Sequence, residues 1–171
     1  MKANTFAKAT ALALIAVQPA LADFNRWSTE TETDPFTKGT TISVNYTISM
    51  RSVVYMFCDT SRAGLMVVRL VPGFEYSDDL KDYKPEMEIA IDGDYLLKVS
   101  TGKTGSVGAN LASADFAVFG EDMRKIVDAM KVAKKQIAIK DGISDRPYLL
   151  SARGSTGAAT KLEACVQKPP A

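Results

Sequence analysis

Between Thr40 and Met50 apolar and polar positions alternate: Ile42, Val44, Tyr46, Ile48 and Met50 interleave with Ser43, Asn45, Thr47 and Ser49. A period of two predicts a half-buried strand with one face on a core. Two runs rich in β-branched residues follow, SVVYMFC (52–58) and GLMVVRLV (64–71), separated by a polar turn from Asp59 to Ala63. They predict two more strands, and Pro72-Gly73 closes the second of them. The stretch from Phe74 to Pro85 is polar and aromatic without a period, which predicts a surface loop. Met87, Ile89 and Ile91 then alternate with Glu86, Glu88 and Ala90. Asp92-Gly93 is a favoured two-residue hairpin turn, and Tyr95 to Val99 is the returning strand. Gly102 to Gly108 reads as the next connection, with Gly102 and Gly105 supplying positive φ, ahead of ANLASADFAVF.

From Gly120 the period lengthens. Met123, Ile126, Val127 and Met130 fall at helical spacing, with Glu121 and Asp122 in the first turn and Lys131, Lys134 and Lys135 late. Both charge groups complement a helix dipole. QIAIK and PYLLSA read as strands around an Asp141-Gly142 turn, and Ser155 or Thr156 is placed to cap a short helix, GAATKLEACV. The fold class expected is mostly β (α+β): an antiparallel, β-sandwich-like sheet with two helices in the C-terminal third.

The first residues carry a different signal. Lys2 and Lys8 precede or flank an apolar stretch from Ala9 to Val17, Gln18-Pro19 breaks it, and Ala20-Leu21-Ala22 offers small residues where a signal peptidase reads. This predicts a cleavable secretory signal over 1–22, too short to span a bilayer, and a periplasmic or secreted protein. A single domain is expected over 23–167, with a disordered tail at 168–171. Removing Lys2 and Lys8 from the 21 basic residues leaves 19 against 20 acidic ones, a net charge of about −1. No global field then favours nucleic acid or anionic lipid.

Cys58 and Cys165 are the only cysteines, and in an oxidising compartment they are read as one disulfide rather than two buried thiols. With no histidine and two thiols, the chain offers no metal site of the usual kind, and no cofactor is expected.

Candidate chemistry changes this picture little. Gly102-Lys103-Thr104 resembles the end of a phosphate-binding loop, but that loop needs a glycine where Leu97 stands and a helix after it, and the following SVGANLASADF lacks helical periodicity. Ser100 and Lys103 form only a loose Ser–Lys pattern, and no histidine is present to act as a base. Acidic side chains cluster at Glu75, Asp78, Asp79 and Asp82, and again at Glu86, Glu88, Asp92 and Asp94. A solvated loop and the outward face of a hairpin account for them, against a glycosidase pair or a cation held by Asp92 and Asp94. Trp27 reads as the anchor of a first strand in preference to a glycan-stacking side chain shared with Phe24. Phe74, Tyr76 and Tyr83, set among Asp78 and Asp79, suit recognition of a protein partner and equally suit a loop whose aromatics fold back.

Several short motifs together resemble known families of small secreted Gram-negative domains. Trp27 and the DPFT segment at Asp34-Pro35 open the expected mature chain, a strand ends in Cys58, LMVVRL places Arg69 within a strand, and GSTGAATKLEACV leads to the last cysteine. This order is similar to the invasion-associated locus B family and to the TagO accessory proteins of type VI secretion, although the latter carry a second tryptophan that this chain lacks. The resemblance implies a β-sandwich, no catalytic residues, and a role in envelope processes or host interaction. The function expected is a non-enzymatic binding or accessory domain whose partner is a protein. Two alternatives stay open: an inhibitor of a host or rival enzyme such as a lysozyme, using Lys103 in a Thr101 to Gly108 loop, and a small carboxylate-dependent glycan hydrolase.

Overall fold

A computed structural model describes residues 24–166 apart from Thr37. The expected signal segment and the 168–171 tail lie outside the described residues. The strands are β1 (Trp27–Thr33), β2 (Thr40–Thr47), β3 (Val53–Asp59), β4 (Leu65–Val71), β5 (Met87–Ile91), β6 (Asp94–Val99), β7 (Gly102–Val107), β8 (Leu111–Phe119), β9 (Gln136–Lys140) and β10 (Tyr148–Ser151). Two helices, α1 (Gly120–Val132) and α2 (Ser155–Leu162), fall late in the chain. The strands form a six-stranded sheet in the order β1-β2-β3-β4-β8-β7 and a four-stranded sheet in the order β10-β9-β5-β6. Every pairing is antiparallel, so the architecture is the mostly β, sandwich-like α+β fold that the patterning predicts.

The period of two places Ile42, Val44 and Tyr46 of β2, Val54, Met56 and Cys58 of β3, and Met66, Val68 and Leu70 of β4 on one buried face. They share one core with Ile89 of β5, Ile137 and Ile139 of β9, and Met123, Ile126, Val127 and Met130 of α1. The helix therefore uses its predicted apolar stripe. It is tied to α2 by the Lys131–Glu163 ion pair and by Thr156 Oγ1, which donates to the Lys131 carbonyl.

Trp27 is an anchor. It is 3% exposed, its indole donates to the Ser151 carbonyl at 3.1 Å, and its ring meets Tyr46 edge-on at 5.2 Å. Tyr46 Oη accepts from Ser151 N, so β1 and β2 of one sheet are clamped to β10 of the other. The Cys58–Cys165 disulfide, with Cα atoms 6.3 Å apart, closes β3 of the six-stranded sheet onto the turn that follows α2.

Four local expectations are corrected. The alternation through Ile48 and Met50 outruns its strand: β2 stops at Thr47, and Met50 is 92% exposed in the turn to β3. The stretch from Gly102 is strand β7 rather than a connection, and the turn falls at Gly108 and Asn110, both with positive φ. Gly102 and Gly105 do not have positive φ. Gly102 is needed because a Cβ there would stand 2.0 Å from the Pro85 carbonyl oxygen and 2.7 Å from the Phe116 ring. Lastly, neither Ser155 nor Thr156 caps α2. Gly154, at φ 87, occupies the N-cap, while Ser155 Oγ is buried with no hydrogen-bond partner, which nothing in the structure explains.

Candidate functional site

Among the described residues, strand alternation leaves the outer face of the six-stranded sheet without a covering layer. Its composition follows from the register. Phe57 pairs Val67, Val67 pairs Ala117, and Leu65 pairs Phe119. Beside this apolar row Tyr55 pairs Arg69, Arg69 pairs Asp115, and Asp115 pairs Lys103. Tyr55 is 39% and Phe119 56% exposed, and Phe57, Leu65 and Val67 are half-buried. A depression of about 300 Å³ opens in this face between Thr41, Phe57, Asp59, Arg62, Leu65 and Val67.

Arg69 and Asp115 form the polar centre of the face. The guanidinium grips the carboxylate with two donors, Nε to Oδ1 at 2.8 Å and Nη2 to Oδ2 at 2.6 Å. It also lies 5.8 Å from the centroid of the Phe57 ring. The Asp115 hydrogen bonds raise the Arg69 pKa above its ordinary value. A bidentate pair is planar and rigid, so it sits among aromatics as a fixed, flat element rather than as two wandering charges. Sequence reasoning marks Arg69 but misses Asp115. The available signal is that each is a lone charge in an otherwise apolar strand, and the two signs are opposite.

The structure separates the partner-contact residues expected from sequence. Phe74, Tyr76, Asp78, Asp79 and Tyr83 share the loop between β4 and β5, whereas Lys103 lies on β7 next to Asp115. The loop itself is strapped down. Its start pairs with β8, through Ala112 N to the Phe74 carbonyl and Tyr76 N to the Asn110 carbonyl. Thr104 Oγ1 donates to the Leu80 carbonyl, and Tyr83 Oη donates to the Gly142 carbonyl at 3.1 Å. Phe74 and Tyr83 remain 39% and 48% exposed, and Asp78 and Asp79 are exposed in a 3₁₀ turn, Asp78–Leu80.

Two carboxylates, Asp92 and Asp141, are engaged in holding the fold. Asp92 accepts from the backbone N–H groups of Gln136, Lys134 and Lys135, which hold its carboxyl below the ordinary range. Asp141 is fully buried and accepts from Ile143 N, Ser144 N, Ser144 Oγ and Tyr148 Oη. Burial, with the Asp141 charge behind it, pushes the Tyr148 phenol well above its usual value. Among the described residues no group of three His, Cys, Asp or Glu side chains gathers where it could hold a metal ion. Nor, among them, is any helix long and apolar enough to cross a membrane. Compared with known protein families, curated proteins and solved structures, the chain matches none.

Proposed function

We propose that the chain is a non-enzymatic binding domain of the bacterial envelope, periplasmic or secreted, whose partner is a protein seated on the outer face of the six-stranded sheet. The observation that carries this reading is the cluster of Tyr55, Phe57, Leu65, Val67 and Phe119 beside the Arg69–Asp115 pair on this outer face. Aromatic and aliphatic anchors around an arginine, with polar residues outside them, are what protein interfaces concentrate at their centres. Six strands at about 4.8 Å and seven residues at about 3.3 Å give a face of roughly 650 Å², close to one partner's share of a standard interface.

The disulfide supports the location, since such bonds persist in oxidising compartments. The inhibitor alternative loses its projecting loop, because Gly102–Val107 is a paired strand.

The test is a photo-reactive residue placed at Tyr55, with a control at Thr160 on the exposed face of α2, in cells exporting the full chain. The expected result is one partner cross-linked from Tyr55, not from Thr160, and lost on Val67→Glu. Equal capture from both positions, or none from Tyr55, contradicts the reading.

A further inference from the structure

The outer face of the four-stranded sheet has a different chemistry, again set by register. Tyr95 pairs Ala90, Ala90 pairs Ala138, and Ala138 pairs Leu149. Two alanines thus floor a trough between Tyr95, 63% exposed, and Leu149, 62% exposed. The next row is charged: Glu88 stands opposite Lys98 on one side and Lys140 on the other. Lys140 Nζ lies 3.3 Å from Glu88, and Lys98 Nζ lies 2.5 Å from Glu86, which also accepts from Ser100 Oγ.

Two cavities lie along this face. One, of about 230 Å³, includes Tyr95, Ala90 and Ala138 in its lining. The other, of about 290 Å³, is bounded by Tyr83, Lys84 and Ser144. Glu88 and Lys140 line both, so the two cavities lie side by side at that ion pair, along one stretch of the face. From Ala90 to Glu86 that stretch runs about 13 Å at roughly 3.3 Å per residue.

The ligand class follows from what this stretch offers. Its carboxylates are each matched by a lysine, so it presents little net charge to a nucleic acid or an anionic lipid. Its apolar floor is one row wide, too narrow for the apolar stripe of a helix. An aromatic ring at an apolar end, followed by a ladder of paired donors and acceptors, suits a molecule with flat C–H faces and hydroxyl edges. Hydroxyls can donate to Glu88 and accept from Lys98 and Lys140 while the ion pairs persist, leaving no charge unpaired.

We propose that this stretch of the face binds an extended oligosaccharide, with Tyr95 stacked on a ring at one end and Tyr83 flanking the other. The face holds the chain without cleaving it. Hydrogen bonds from Lys98 and Ser100 hold the Glu86 carboxyl below its ordinary range, and Glu88 is ion-paired with Lys140, so both carboxylates are engaged by neighbouring side chains. This surface is separate from the proposed protein-binding face, so either assignment can fail without the other.

The test is an amide-shift NMR titration of the purified protein with chitotetraose and cellotetraose into the millimolar range. The expected result is saturable shifts confined to Ala90, Tyr95, Ala138 and Lys140 with at least one of the two. Tyr95→Ala should weaken binding at least tenfold while leaving Tm unchanged, since the side chain is mostly exposed. No shifts with either sugar, shifts centred elsewhere, or unaltered affinity in Tyr95→Ala would each overturn the proposal.

Discussion

The Pro85 carbonyl passes 2.0 Å from where a Cβ on Gly102 would stand, and its ring lies 2.8 Å away. Neither group is the free end of a flexible side chain, so the clash has to be relieved by moving backbone. Gly102→Ala is expected to cost about 3 kcal/mol, the upper end of overpacking effects, measured by denaturant titration. A change under about 0.5 kcal/mol would mean that β7 and the Pro85 segment separate easily. This residue also marks where sequence reading stops. Glycine in GKTG suggests a turn because positive φ is its commonest use, whereas here its use is the absence of a side chain against a segment 17 positions earlier. Nothing local encodes that approach. The same holds for Asp115, whose role depends on standing opposite Arg69, 46 positions away.

At the scale of elements, the hairpin β5–β6 is fastened at its tip. Asp92 and Gly93 both have positive φ, 55° and 100°, as the tight turn requires, and the Asp92 carboxylate then gathers three backbone N–H groups at the start of β9. Because the folded carboxyl titrates below its ordinary value, its contribution is present above about pH 4. That contribution is lost as pH falls through the lower, folded value. Asp92→Asn is therefore expected to lower Tm by several degrees at pH 7 and to narrow that gap near pH 2. A Tm gap that is constant across this range would show that the charge does not matter.

Elements with a strong period were legible throughout: β2, β5, β9 and α1 follow from alternation or helical spacing of their buried residues. Boundaries were not, because Met50 continues the alternation after the chain has already turned. β7 was hidden because GKTGSV has no apolar period. It is held by pairing with β8, the next strand, which the pattern of its own residues does not reveal.

For the whole molecule, the disulfide joins residues 107 positions apart, and the loop it closes holds the whole four-stranded sheet and half the strands of the six-stranded one. In the chain-entropy account, closing such a loop contributes about 4–5 kcal/mol. The Cys58→Ser, Cys165→Ser pair should lower Tm by roughly 10–20 °C in thermal unfolding. An unchanged Tm would remove the bond from the list of major stabilisers. The two outer faces then divide the surface by chemistry: an aromatic and aliphatic face around Arg69–Asp115, and a paired-charge stretch beside Tyr95. Alternation in the strands made the existence of such faces readable, but their contents required the strand order, which brings β8 between β4 and β7.

The central claim is that the first of these faces is where a protein partner sits, and photo-cross-linking from Tyr55 in exporting cells tests it most directly. The account predicts a single partner captured from Tyr55, absent from Thr160 and abolished by Val67→Glu with the fold intact by Tm. Capture that persists in Val67→Glu, or that is as strong from Thr160, would contradict it.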